Sequence, residues 1–161
     1  MDIYEFAMKM EQDGEQYYLD LAQNAVNTGF KNIFTMLAKA ERVHYDLFRK
    51  MRDNEKTAVP ASKLLSEVRN IFEGMKDEKK EADVPASQIE LYGKARDIEK
   101  KSMDFYLAQA EGAGDPYHKD IFSRIAGEEK RHLFIMEEII NFISQPGSWL
   151  ENPEWYKIEE T

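Results

Sequence analysis

The sequence predicts an all-α protein: four long helices in a bundle, with a shorter helix between the second and third. Three observations predict it. Apolar residues return every three or four positions, as in Ile3, Phe6, Ala7, Met10, Tyr17, Leu21 and in Phe30, Ile33, Phe34, Leu37, Val43, Leu47. No stretch alternates with the period of two that a sheet requires. Glycine and proline, the strongest breakers, gather at Asn27-Thr28-Gly29, Val59-Pro60, Val84-Pro85, Gly112-Ala113-Gly114-Asp115-Pro116 and Gln145-Pro146-Gly147. Finally, residues 7–44 laid on residues 95–132, at a constant offset of 88, match without a gap, so the chain reads as a duplicated helical hairpin.

The breaks place helices near 2–26, 29–53, 62–76, 86–112 and 116–144. Val-Pro-Ala-Ser occurs at 59–62 and again at 84–87, each time just before a periodic run, where a Pro and a Ser signal a helix start. Residues 76–83, Lys-Asp-Glu-Lys-Lys-Glu-Ala-Asp, have no apolar face and are expected to form a solvated connector. The bundle is expected over 1–145, with the crossover at about 54–85. The tail, 146–161, holds Trp149, Trp155 and Tyr156 and is too aromatic for a free end, so it is expected to pack on the bundle or on a partner subunit.

Composition narrows the function. With 161 residues, 42% hydrophobic and 33% charged, the chain suits one compact domain. Its formal charge of −9 argues against nucleic acid as a partner. The absence of cysteine excludes disulfides, iron–sulfur clusters, Cys-ligated zinc and a thiol nucleophile, so any metal must be held by His and carboxylate. No run approaches a membrane span, and Met1-Asp2-Ile3-Tyr4-Glu5 lacks the basic and apolar regions of a signal peptide, so a cytoplasmic location is expected.

The repeat is chemically pointed. Glu11 falls on Glu99, Tyr18 on Tyr106, Phe34 on Phe122, Ala38 on Ala126, Glu41 on Glu129 and His44 on His132. Glu41 with His44, and Glu129 with His132, are three apart, so each pair shares a helix face and can reach one point beside it. In an antiparallel hairpin, residues equidistant from the bend are level. The midpoint of Glu11 and Glu41 is Val26, just before the first break, and that of Glu99 and Glu129 is Gly114, inside the second. Each Glu is thus roughly 20 Å from its bend at 1.5 Å per helical residue. Packing the hairpins about a pseudo-twofold axis would gather four Glu and two His in the middle of one bundle. Four buried carboxylates without compensation would take up protons or cost many kcal/mol, and two divalent cations would cancel them. Imidazole and carboxylate oxygen suit Fe(II) or Mn(II), and this set is that of di-iron and di-manganese bundles.

Tyr18 and Tyr106 lie two turns beyond Glu11 and Glu99 on the same face. They are read equally as hydrogen-bond partners of ligands and as core aromatics. Glu15 and Glu128 adjoin candidate ligands but have no carboxylate counterpart in the other repeat, and they are left out of the ligand set. His118 falls on Phe30 and reads as a surface histidine.

Through Met10-Glu11 with Tyr18, Phe34-x-x-x-Ala38-x-x-Glu41-x-x-His44, Ile98-Glu99 with Tyr106, and Phe122-x-x-x-Ala126-x-x-Glu129-x-x-His132, the chain resembles the rubrerythrin branch of the ferritin-like superfamily over about residues 3–145. The resemblance implies a ferritin-like four-helix bundle with a long crossover, and a non-haem di-iron site of two iron ions on Glu11, Glu41, His44, Glu99, Glu129 and His132. It further implies oxidation of Fe(II) by hydrogen peroxide or dioxygen, as in protection from oxidative stress. Mn or Zn are possible substitutes, and a homodimer is expected. With no cysteine here, the rubredoxin-like domain of rubrerythrins proper is not expected in this chain, and an external electron donor such as a rubredoxin is. The extra carboxylate that rubrerythrins carry near the ligand of the third bundle helix is also missing: Ala95, Arg96, Ser102 and Met103 lie one turn from Glu99. Iron storage of the bacterioferritin kind, and a metal-stabilised interaction bundle, are the alternative readings.

Overall fold

The computed structural model describes residues 2–75 and 84–144, and all its regular elements are α-helices: α1 (Ile3–Gln23), α2 (Thr28–Arg52), α3 (Leu64–Met75), α4 (Ala86–Gly112) and α5 (Pro116–Ser144). The connector expected at 76–83 and the aromatic tail lie outside the described residues.

Local chemistry fixes where the hairpin helices begin. Asp2 caps α1 by accepting from the Glu5 amide, and Asn27 caps α2 by accepting from the Phe30 amide at 2.7 Å. Asp115 accepts from the His118 amide at 2.8 Å at the start of α5, with Pro116 at the first helical position, where its missing N–H costs nothing. Gly29 departs from its expected role. It lies inside the first turn of α2, and a Cβ there would overlap the Met75 side chain, so it serves the close approach of α3 and not the bend itself.

The apolar stripes form two buried clusters. One gathers Tyr18, Phe30, Phe34, Leu37, Tyr92, Ile135, Ile139 and Phe142 at the end where α1 meets α2; the other gathers Ala7, Leu47, Phe48, Tyr106, Phe122 and Ile125 at the end where α4 meets α5. The members of each cluster show that α2 and α4 run in the same direction, opposite to α1 and α5, as a long crossover demands. Two stripe positions do not reach the core: Phe6 is 45% and Val43 37% exposed.

The crossover contains the short helix expected near 62–76. α3 has twelve residues, about 18 Å at 1.5 Å per residue, and it covers only the first cluster, with Leu65, Val68, Phe72 and Met75 buried. Fully burying such a side chain is worth roughly 1.5–3 kcal/mol. Residues 55–63, ahead of α3, form no regular element. That segment is tied to α5 where the Tyr117 hydroxyl accepts from the Thr57 amide and donates to the Thr57 carbonyl at 2.8 Å.

Candidate metal centre

Between the two apolar clusters lies a polar layer. Glu11, Glu41, His44, Glu99, Glu129 and His132 are each at most 4% exposed, and the structure brings all six together. They form two groups whose candidate ligand atoms lie within 4.8 Å of one another: Glu11, Glu41, His44 and Glu129, and Glu41, Glu99, Glu129 and His132. Glu41 and Glu129 belong to both. His44 Nδ1 is 3.2 Å from a Glu129 oxygen and 3.6 Å from one of Glu11. His132 Nδ1 is 3.4 Å from Glu41 and 3.7 Å from Glu99. The two imidazoles lie nearly parallel, 6.0 Å apart.

The tyrosines bind crosswise between the repeats. Tyr18 Oη donates to Glu99 at 2.6 Å, and Tyr106 Oη donates to Glu11 at 2.7 Å. Burial raises both phenols well above their ordinary range, and the neighbouring carboxylates push the same way, so each is a firm proton donor.

Charge in this layer is balanced by protons. Burial, then the charges of the other acids, hold the Glu41 and Glu129 carboxyls well above the usual range, which keeps them protonated. Burial acts against Glu11 and Glu99 as well, but the neighbouring Glu41 and Glu129 carboxyls and the charges of His44 and His132 outweigh it. Glu11 is lowered, and Glu99 falls to about 2. Burial opposes charging of His44, yet Glu11 beside it, with Glu128 and Glu129, raises it well above its usual value.

A metal fits these residues. Glu11 Oε2, Glu41 Oε1, His44 Nδ1, Glu99 Oε2, both Glu129 oxygens and His132 Nδ1 are buried without a hydrogen-bond partner, so every one of the six directs an unused donor atom into the layer. Divalent ions would take these atoms and displace the protons.

Glu128 is the residue that sequence reasoning missed. His44 Nε2 is bound to its carboxylate at 2.5 Å, and burial of Glu128 is more than offset by that contact, which holds its carboxyl below the usual range. Its position next to Glu129 is the only sequence signal for it, and its repeat counterpart, Ala40, gives none. Glu128 also lines a polar cleft of about 820 Å³ between the crossover and α5, with Lys63, Arg124, Lys130 and Arg131. Glu15 lies away from the cluster, 3.8 Å from Arg42 on the surface. His118 does too, paired with Asp115.

An all-α bundle with a long crossover and buried Glu-x-x-His pairs on two helices, each joined by a Glu from the helix beside it, is the ferritin-like class of carboxylate bundle. Within it, the chain belongs to the rubrerythrin family, whose model, described as Rubrerythrin, matches residues 2–140. No curated protein and no solved structure matches the chain.

Proposed function

We propose that this protein is a non-haem di-iron oxidoreductase that oxidises two bound Fe(II) ions with hydrogen peroxide or dioxygen. The observation that carries this reading is the pair of donor groups sharing Glu41 and Glu129, with an unused buried atom on every member. Glu11 and His44 would hold one ion, Glu99 and His132 the other, and Glu41 and Glu129 would face both. A bound iron pair supplies two electrons at one place, the number that cleaves the O–O bond of a peroxide.

The chain's own residues prepare that chemistry. Four carboxylates offset the charge of two divalent ions, so the loaded layer stays near neutral in a low-dielectric interior. Tyr18 and Tyr106 fix the rotamers of Glu99 and Glu11, and Glu128 orients His44. The apolar clusters on either side keep bulk water from the layer. No helix among the described residues is long and apolar enough to cross a membrane, and we place the protein in the cytoplasm. Re-reduction would come from an external donor protein such as a rubredoxin, and the working form would be a homodimer.

Anaerobic Fe(II) titration followed by peroxide tests this. Saturation at two irons per chain, rapid oxidation, and loss of both in Glu41→Ala and His132→Ala are expected. Uptake far beyond two would instead mean iron storage, and zinc that iron does not replace would mean a structural site.

A further inference from the structure

A second cavity, of about 530 Å³, lies between α1 and α4 on the side of the bundle away from the crossover's packing partners α2 and α5, and its walls are almost wholly apolar. Its lining follows the repeat: Met10 is matched by Ile98, Gly14 by Ser102 and Tyr17 by Phe105. The cleft therefore straddles the pseudo-twofold axis, as the carboxylate cluster does. The wall is braced by the Phe6 and Phe105 rings, 5.1 Å apart, and by the Tyr17 hydroxyl donating to the Leu91 carbonyl at 2.7 Å. Asp13 and Lys101, another matched pair, bring opposite charges that cancel in sum.

Gly14 lies between the cleft and Glu41 of the cluster. It lines the cavity, and a Cβ placed on it would lie 3.0 Å from Glu41 Oε2 and 3.2 Å from Glu41 Cδ. At this position α1 therefore sets no side chain between the cleft and Glu41. Glycine in a helix interior costs about 0.5–1 kcal/mol relative to alanine, and the equivalent position in α4 is a serine, so helix geometry does not ask for glycine here. Contact with Glu41 does.

We propose that this cleft binds a small uncharged molecule with an apolar body, whose reactive end meets Glu41 at Gly14, and that the ligand is an organic hydroperoxide. The identity of the ligand rests on the oxidant reading above; the cleft itself does not. A charged ligand would lose its hydration against these walls without a compensating partner. Hydrogen peroxide would fill a small part of a volume that lies within the range of small-molecule sites, about 300–1,000 Å³. A second copy of the chain docking with its twofold axis through the cleft would set one concave surface against another and leave the space unfilled.

Cumyl alcohol, the unreactive analogue of cumene hydroperoxide, is the probe. Added to the metal-free full chain, it is expected to shift the NMR resonances of Met10, Ile98 and Phe105, and not to do so in Ser102→Trp, which fills the cleft. Ile98→Trp, at a position 39% exposed and so tolerant of bulk, repeats the test should Ser102→Trp fold poorly. In the iron-loaded protein both variants are expected to keep iron stoichiometry and to slow oxidation by cumene hydroperoxide about tenfold or more, with hydrogen peroxide changed by less than about twofold. Equal loss with both peroxides, shifts confined to other residues, or sedimentation showing that the variants split a dimer formed through this face would overturn the proposal. Loaded wild type inert to both peroxides, with cumyl alcohol still in the cleft, would remove the oxidant reading and the hydroperoxide with it. Absence of cumyl alcohol binding would remove the cleft as a ligand site and leave the oxidant reading standing.

Discussion

Glu128 decides which nitrogen of His44 faces the cluster. With Nε2 held on this carboxylate, Nδ1 points to Glu129 and Glu11; a neutral imidazole that keeps its proton on Nε2 offers the Nδ1 lone pair to a metal. Glu128→Ala frees the ring to turn and removes the acceptor. We expect metal affinity to fall about 10–100-fold, with a smaller loss in Glu128→Gln, whose amide oxygen still accepts; competition against a chelator of known affinity measures both. Full affinity in the alanine variant would mean that helix packing alone orients His44. The six clustered donors were legible because a repeat prints each twice, and chance rarely places two Glu-x-x-His pairs at one offset. The same device hid Glu128, since a residue that breaks the symmetry, with Ala40 opposite it in the alignment, has no echo to be found by. The crossing of the tyrosine bonds, Tyr18 to Glu99 and Tyr106 to Glu11, was not legible either, because spacing along one helix cannot say which hairpin a hydroxyl will reach.

At the scale of elements, the end of α2 shows what periodicity leaves out. Asn54 has φ 60°, the Glu55 amide donates to the Lys50 carbonyl at 2.8 Å, and the Asn54 amide donates to that of Met51. These bonds close a Schellman motif with asparagine in the left-handed position. Arg49, Lys50 and Arg52 in the last turn complement the negative end of the helix dipole. Asn54→Gly is therefore expected to be neutral or to stabilise by up to about 0.5 kcal/mol, and Asn54→Ala to destabilise by about 1 kcal/mol. Both would show as shifts in the urea midpoint at constant slope. Helix existence and order were readable from apolar spacing and breakers, and α4 and α5 fall where those signals put them. Gly29 was readable as a break but not as a packing glycine, since the contact that needs it comes from Met75, 46 residues later. The crossover's short helix was readable too, near 62–76, whereas its tie to α5 was not: Tyr117 anchors Thr57, and only the tertiary fold brings them together.

For the whole molecule, the arrangement is a charged layer between two apolar clusters, flanked on one side by an apolar cleft at Gly14 and on another by a cleft lined by Glu128 and several cations. Such a layer makes stability depend on pH in a way set by the shifted groups. Glu11 and Glu99 are lowered from 4.5, Glu99 to about 2. Between about 2 and 4.5 the unfolded chain binds more protons at these sites than the folded one, so stability rises with pH and the contribution is lost as pH falls through the folded values. Glu41 and Glu129 are raised well above 4.5, and His44 well above 6.5. Above those ordinary values the folded metal-free protein holds protons that the unfolded chain has released, so stability now falls as pH rises. The two trends meet at mildly acidic pH, and the metal-free protein should lose at least about 3 °C in Tm between pH 6 and 8, the equivalent of about 1 kcal/mol for a chain of this size. Divalent ions reverse the balance. They replace the protons on Glu41, Glu129 and His44, so their affinity increases with pH, and the gain in Tm on adding Mn(II), which does not enter peroxide chemistry as readily as Fe(II), should widen over the same interval. Thermal melts at pH 5 to 8 with a chelator and with excess Mn(II) check both halves. A metal-free Tm that climbs toward pH 8 would show that the layer is not held together by protons, and a metal-induced gain that does not change with pH would show that the ions bind without displacing them.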